Sequence, residues 1–380
     1  MNFSLTPEQE GVQKRARDAA QDVKTMAARL ERAGLFPQDV LNIWADAGLF
    51  GVALPREFGG EGRDYVSYCL AQMELAQACP SSALMLHVNH SLVGQGLALF
   101  GADDQKRRYL PAVAQGQALA CFALTEPQAG SDPSRLKTTA IKGGHGWVLS
   151  GHKNFVTSGK AARFALVAAR TDLNREPHKG ISLFIMDLKN IPGVTVGPEE
   201  EKMGLVGAKS VSLVFESVEL PPTALLGDLH EGLKMALALM DGARVGAAAQ
   251  AVGLGRAALR EALNYARGRE QFGRPLVQFQ GLQWRLADLA TDLEAASLLT
   301  LKAAWLRDQG RHYAAAAAMA KKFATDTAMT AATEGLQLLG GYGYLKDYPL
   351  ERLFRDAKAG QIYEGTNEIM RLIIARDLLK

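Results

Sequence analysis

The sequence predicts an α+β chain in three parts: an N-terminal helical domain (1–118), a middle antiparallel β-barrel or sandwich (119–226) and a C-terminal helical bundle (227–380). Three observations carry that prediction. Helix-like texture runs from Phe3 to about Gly116. Short apolar runs then follow, separated by glycine-rich turns with no helical stretch between them, which points away from a doubly wound sheet. From Leu233 to Lys380 the chain is helical again and rich in alanine, as a closely packed bundle requires.

Each part has its own signals. Thr6-Pro7-Glu8-Gln9 reads as a helix start, with Thr6 as cap and Pro7 at the first helical position. Ile43, Trp44, Ala47, Leu49 and Phe50 form an apolar cluster ahead of a loop at Leu54-Pro55-Arg56-Glu57-Phe58-Gly59-Gly60. Another helix is expected from Asp64 to about Ala78, with Val66, Cys69, Leu70, Met73 and Leu75 on one buried face. Pro80-Ser81-Ser82 opens a further helix carrying His87 and His90. Their i, i+3 spacing could hold a metal, but no third ligand is near, so structural or pocket-lining roles are expected and no metal site. The strand candidates are Trp147–Leu149, Asn154–Thr157, Phe164–Ala168, Ile181–Met186 and Val211–Phe215; the long helical stretches are Ala243–Ala266, Leu282–Gln309 and Tyr313–Leu339. Gly253-Leu254-Gly255-Arg256-Ala257-Ala258 matches G-x-G-x-x-A, yet it follows a helical segment instead of a strand. It reads as helix packing through small residues.

Composition narrows the function classes. A hydrophobic share of 48% and a charged share of 22% suit a globular protein, and a formal charge of +3 argues against a nucleic-acid binder or a polybasic membrane patch. No apolar run approaches the roughly 18 residues that a spanning helix needs, so no membrane insertion is expected. The first ten residues have neither the apolar core of a secretory signal nor the acid-poor, Arg-rich character of a transit peptide. Cys69, Cys79 and Cys121 are scattered and odd in number, which reads as reduced thiols in a cytoplasmic chain or the mature form of an organelle-matrix protein.

The most informative stretch lies near the end, at Gln361-Ile362-Tyr363-Glu364-Gly365-Thr366-Asn367-Glu368. It sits between two helix-like segments. Thr366 can cap the second, which places Glu368 in its first turn. Gly365 permits a sharp bend or the close approach of something flat. Glu364 is then a carboxylate at a glycine-hinged corner: either a base with a raised pKa or a solvated loop Glu. Other candidates share this ambiguity. Thr125–Ser131 can aim hydroxyls and N–H groups at an acceptor-rich ring, or be an ordinary strand-to-loop turn. Phe155-Val156-Thr157 presents a ring and a hydroxyl in strand alternation. Arg267–Arg274 could meet a pyrophosphate or be a solvated helix end, and Gln337-Leu338-Leu339-Gly340-Gly341-Tyr342-Gly343 ends a helix with glycines.

The order of these segments is far more specific than any one of them. With Phe122-Ala123-Leu124-Thr125-Glu126-Pro127-Gln128-Ala129-Gly130-Ser131-Asp132, Phe155-Val156-Thr157-Ser158-Gly159, Arg269-Glu270-Gln271-Phe272-Gly273, Gln337–Gly343 and Ile362-Tyr363-Glu364-Gly365-Thr366, the chain resembles the acyl-CoA dehydrogenase family over essentially its full length. The resemblance implies FAD as cofactor. Phe122, Leu124, Thr125, Gly130, Ser131, Phe155, Val156 and Thr157 would line the flavin ring, with Thr366 and Glu368 also at the cofactor. Arg269, Phe272, Gln280, Gln337, Gly340 and Gly341 would serve the pyrophosphate and adenine of a neighbouring subunit's FAD, which implies a homotetramer built from dimers. Ser131, Asp241, Arg244, Gly365 and Arg376 would contact the acyl-CoA substrate.

The resemblance also implies a mechanism. Glu364 would remove the α-proton of a saturated acyl-CoA while flavin N5 takes the β-hydride, giving a trans-2-enoyl-CoA. Electrons would pass to an electron-transfer flavoprotein. The Glu364 N–H would be one donor to the thioester oxygen, where charge develops. Some members carry the base beside the arginine matching Arg244; here that position is Ala243, which sharpens the assignment to Glu364. Gly242 and Ala243 depart from the best-known versions. A flavin monooxygenase or oxidase of the same fold, or a dehydrogenase of a carrier-protein thioester, is the alternative expectation. The resemblance also implies a pocket floor near Ser91–Leu97 and the Tyr363 loop, where Gly94 and Gly96 remove side chains and Phe100 or backbone shifts could refill the space; short to medium acyl chains are expected.

Overall fold

The computed structural model describes residues 4–380; Phe3, where the helical texture begins in the sequence, lies outside them. The N-terminal helices are α1 (Pro7–Ala33), α2 (Gln38–Asp46), α3 (Tyr65–Ala78), α4 (Pro80–His87), α5 (Gln95–Phe100) and α6 (Asp103–Ala114). Thr6 caps α1 in a reciprocal box with Gln9, as its position before Pro7 suggests. α3 is buried on nearly every side and not on one face, because α1, α7 and α8 all pack on it. A π-helical turn, Val88–Gly94, joins α4 to α5. Such turns widen a helix locally and are common at functional sites.

The middle of the chain folds into a sheet of β1 (Ala120–Ala123), β2 (Thr139–Gly143), β3 (Gly146–Thr157), β4 (Phe164–Arg170), β5 (Ile181–Asp187), β6 (Val194–Glu199), β7 (Ser210–Leu220) and β8 (Leu225–Leu226). Its order is β6-β7-β3-β2-β4-β5-β8, with β1 also on β4. The pairing is antiparallel except that β1, and the start of β2, run parallel to β4. Two sequence expectations merge: Trp147–Leu149 and Asn154–Thr157 belong to the single strand β3, which bends at irregularities near Leu149 and Lys153 instead of breaking. β2 and β6 have no apolar run because much of each is solvent-exposed. Along β4, alternate side chains serve two cores. Phe164, Leu166 and Ala168 pack on the helices, whereas Ala165, Val167 and Ala169 face Phe184-side residues such as Leu213 and Phe215.

The C-terminal part holds α7 (Gly232–Gly268), a short hairpin of β9 (Glu270–Gln271) and β10 (Arg274–Pro275), then α8 (Gln280–Asp308), α9 (Ala314–Leu339), α10 (Pro349–Gly360) and α11 (Asn367–Leu378). α7 is the central rod, packed on α9, α3 and α8. Its small residues allow that approach: a Cβ on Gly253 would lie 2.3 Å from the Met73 carbonyl oxygen. The G-x-G-x-x-A segment is therefore a helix contact. The loop between α10 and α11 carries Glu364 and lies against α7, α9 and α4.

Candidate active site

Glu364 sits in the left-handed region at φ 55°, followed by Gly365 at φ 93°. A side chain in that region costs about 1–2 kcal/mol. The surroundings impose it. Arg244 on α7 donates from Nε to the Glu364 carbonyl (3.2 Å) and from Nη1 to Asp241 (2.6 Å). Lys321 on α9, fully buried, donates to the Gly365 carbonyl (2.8 Å) and to Asn367 Oδ1 (2.9 Å). Asn367 in turn donates to Thr325 and Asp326, and Gln361 also donates to Asp326. Tyr363 donates to Gln250, whose amide reaches the Pro80 carbonyl. Thr366 caps α11 by accepting from the Ile369 N–H. A Cβ at Gly365 would meet Met370 at 2.9 Å, so the corner needs glycine for space as well as for φ. Burial pulls the Lys321 pKa down to about 8, with the Glu364 charge opposing that pull.

The Glu364 carboxylate is 7% exposed and points at α4. Its Oε1 lies 2.5 Å from Nε2 of His87, whose Nδ1 lies 2.8 Å from the Tyr68 hydroxyl. Ser91 donates to the Tyr68 hydroxyl (3.1 Å), and the Tyr65 hydroxyl lies 3.0 Å from both Ser91 Oγ and the Gly242 carbonyl. The other oxygen, Oε2, is buried with no partner among the described residues. Neither has the Glu364 N–H an acceptor among them. A buried, unpartnered carboxylate oxygen and a free N–H donor thus share one corner. His90 has a different role: it stacks on Tyr68 with ring centroids 4.0 Å apart and accepts from the Ala53 N–H. Burial, then the charges of Arg307 and His87, pull its pKa well down, so it stays a neutral acceptor.

The segment after β1 is anchored from beneath. Lys153, fully buried in β3, donates to Leu124 O (3.1 Å) and to Glu126 Oε1 (2.7 Å). Glu126 also accepts from the N–H groups of Lys137 and Thr138. Burial alone would raise the Glu126 pKa; Lys153 and those N–H groups outweigh it and hold it at about 2. This pair fixes the loop while Phe155, at φ 55°, turns its ring out and is 66% exposed. The hydroxyls of Thr125, Thr157 and Ser131 have no partner among the described residues. An exposed aromatic ring beside unpaired hydroxyls suits a flat, acceptor-rich group.

Three family models match: the acyl-CoA dehydrogenase N-terminal domain over residues 6–117, the middle domain over 121–218 and the C-terminal domain over 230–379. Together they span nearly the whole chain. The chain belongs to the acyl-CoA dehydrogenase family. An acyl-CoA dehydrogenase of Bacillus subtilis is 44% identical, with 99% of each chain covered. Butyryl-CoA dehydrogenase from Megasphaera elsdenii has a TM-score of 0.97 at 38% identity, with each chain covered in full. A chain solved in work on the electron transferring flavoprotein of Acidaminococcus fermentans has a TM-score of 0.98 at 42% identity, again with full coverage of both chains.

FAD, the cofactor of this family, fits these residues by the unpaired hydroxyls and the exposed Phe155 ring. Phe122 and Leu124 are half-buried beneath that surface, and Gly130 and Ser131 are exposed at its edge. Val156 differs: its side chain is buried in the second core, so only its backbone can face a ligand. The remaining cofactor candidates lie elsewhere. Arg269, Gly340 and Gly341 line a cavity of about 430 Å³ with Tyr265, Gln271 and Tyr342. Gln337 lines the adjacent cavity, Gln280 is exposed at the start of α8, and Phe272 is 93% exposed. Arg244 and Arg269 are on α7 or at its end, roughly 35–40 Å apart along the axis. The structure therefore does not bring this set to the Glu364 corner of the same chain.

The substrate candidates also divide. Gly365 is at the corner. Asp241 and Arg244 form an ion pair whose visible task is to hold the Glu364 carbonyl. Ser131 is exposed near the flavin-facing surface, and Glu368 is exposed in the first turn of α11. Arg376 is exposed roughly 12 Å further along that helix. A cavity of about 890 Å³ lies between α1, α10 and the Met203 loop; its lining includes none of the residues of the Glu364 corner. Lys321, Gln250, Asn367 and Asp326 were not legible as site residues. Lys321 follows a run of alanines, where a lysine ordinarily reads as a solvated helix position.

Proposed function

We propose that Glu364 is the catalytic base of this FAD-dependent acyl-CoA dehydrogenase, removing the α-proton of a saturated acyl-CoA thioester through Oε2. The buried, unpartnered Oε2 on a clamped corner is the observation that carries the assignment. When bound, FAD would supply the hydride acceptor. The chain does the rest. The free Glu364 N–H is placed to donate to the thioester oxygen as negative charge develops there. The Arg244 and Lys321 hydrogen bonds fix the carbonyls on either side of the Glu364–Gly365 peptide, so base and donor keep one geometry. Ala243, at the position where some family members carry the base, is buried and cannot accept a proton.

Further parts of the reading rest on family likeness. The product is a trans-2-enoyl-CoA, and electrons pass to an electron-transfer flavoprotein. The relative solved as butyryl-CoA dehydrogenase supports a short acyl chain. The separation of the Arg269–Gly341 set from the Glu364 corner supports its serving a neighbour's FAD in a homotetramer. No helix among the described residues is long and apolar enough to cross a membrane, and the three buried free cysteines fit a cytoplasmic enzyme. The test is anaerobic bleaching of the flavin absorbance across straight and branched acyl-CoAs. Bleaching is expected, fastest with short chains; no bleaching with any thioester overturns the reading.

A further inference from the structure

We propose that His87 is the positioning residue of the base: its Nε2–H holds Glu364 Oε1, favours the ionised carboxylate in a buried site, and leaves Oε2 as the one oxygen free for the α-proton. This rests on the reading of Glu364 as base. The directions of the hydrogen bonds follow from what each group can give. An ionised carboxylate only accepts, so His87 must carry its hydrogen on Nε2. Its Nδ1 then accepts from Tyr68, and Tyr68 accepts from Ser91. Tyr65 has one hydrogen for two acceptors in reach, Ser91 and the Gly242 carbonyl, and either choice leaves the Ser91 hydrogen on Tyr68. All the donors between Ser91 and Glu364 therefore point one way, toward the carboxylate, and each polarises the next.

The fold makes room for this ring. A Cβ on Gly246 of α7 would lie 2.5 Å from His87 Nδ1 and 2.6 Å from its Cε1. Any larger residue at 246 would push the imidazole out of line with both partners. His87 is itself completely buried, and both ring nitrogens are engaged. A hydrophobic side chain of similar size would fill the space but leave both Glu364 oxygens buried without a donor.

The other ionisable groups around the pair are accounted for. Tyr65 and Tyr68 on α3 are pushed up by burial and stay neutral, as does Tyr363 beside the base. On the π-helical turn His90 is neutral. From α7, Arg244 pairs with Asp241; from α9, Lys321 faces the corner with Asp326 behind it; from α8, Arg307 lies over the Tyr65 ring; and Glu368 is exposed on α11. These groups remain when His87 is replaced. In the reaction the α-C–H bond breaks, the proton goes to Oε2 and the electron pair stays with the substrate. His87 keeps its own hydrogen throughout.

The sign is fixed by this geometry. Removing the donor leaves both oxygens of the buried carboxylate without a hydrogen bond, so the acid limb of the bleaching rate moves up. The experiment follows anaerobic bleaching by an acyl-CoA as a function of pH in the FAD-loaded protein. For His87→Phe the acid limb is expected to rise by roughly one to two pH units. His87→Gln keeps an N–H donor and is expected near the parent profile. Tyr68→Phe, which leaves the imidazole in place, moves the limb in the same direction by less. A uniform loss of rate in His87→Phe with no movement of the limb overturns the proposal. If His87→Phe does not fold, an unmoved limb in Tyr68→Phe overturns it too. Absence of bleaching in the parent protein would instead overturn Glu364 as base.

Discussion

The Glu364 corner and the Arg269–Gly341 surface are built on opposite principles. At the corner, a strained peptide is held by Arg244, Lys321, Asn367, Asp326 and Gln250, and the tightest of these groups are fully buried. At the other surface, Phe272 is 93% exposed and a Cβ on Gly340 or Gly341 would touch nothing. One region is completed by its own chain; the other presents open backbone and an unpacked ring. The difference teaches where precision is needed. The proposed proton abstraction tolerates little displacement, which fits donors locked within one core. The proposed hold on a neighbour's FAD can rely on surface supplied when molecules assemble.

Breaking the first region should cost most. Glu364→Gln keeps the side-chain volume and leaves FAD bound, but removes the base; turnover is expected to fall roughly 10²–10⁴-fold. Steady-state rates with a saturated acyl-CoA, beside the flavin content of the purified variant, check this. Lys321→Met tests the clamp. It leaves the Gly365 carbonyl and Asn367 without their donor, so stability should drop by about 1–3 kcal/mol in thermal or urea unfolding. Its kcat should fall about tenfold or more as the corner loosens, with the base still present. Phe272→Ala should separate the two regions most clearly. An exposed side chain contributes little to folding, so unfolding of the apoprotein should change by less than about 0.5 kcal/mol. Affinity for FAD should weaken about tenfold if the ring becomes buried on assembly. An unchanged FAD affinity would make the two regions unrelated in function.

Much of the fold was legible because its signals are local. Thr6 before Pro7, the strands around Phe164 and Ile181, and the alanine-rich helices each announce themselves within a few residues. β2 and β6 were not, since exposed strands pair through backbone groups that leave no apolar pattern. The bend in β3 was hidden because a bulge looks like a turn from sequence. Among the site residues, Glu364, Gly365 and Thr366 are contiguous and stood out. Lys321 did not, for it reaches the corner from 43 positions away, and His87, expected only in a structural or pocket-lining role, reaches it from 277 positions away.

The sequence by itself determined the three-part order of helices, sheet and helices, the family, and the identity of the carboxylate at the glycine corner. Those follow from periodicity and from short runs whose chemistry is self-contained. Only the tertiary structure decided what holds and tunes that carboxylate. It showed that Arg244, a substrate candidate, also supports the Glu364 carbonyl, found a buried lysine beneath Gly365, and set His87 against Oε1. The physical reason is that ionisation of a buried acid depends on donors within about 3 Å, whatever their distance along the chain.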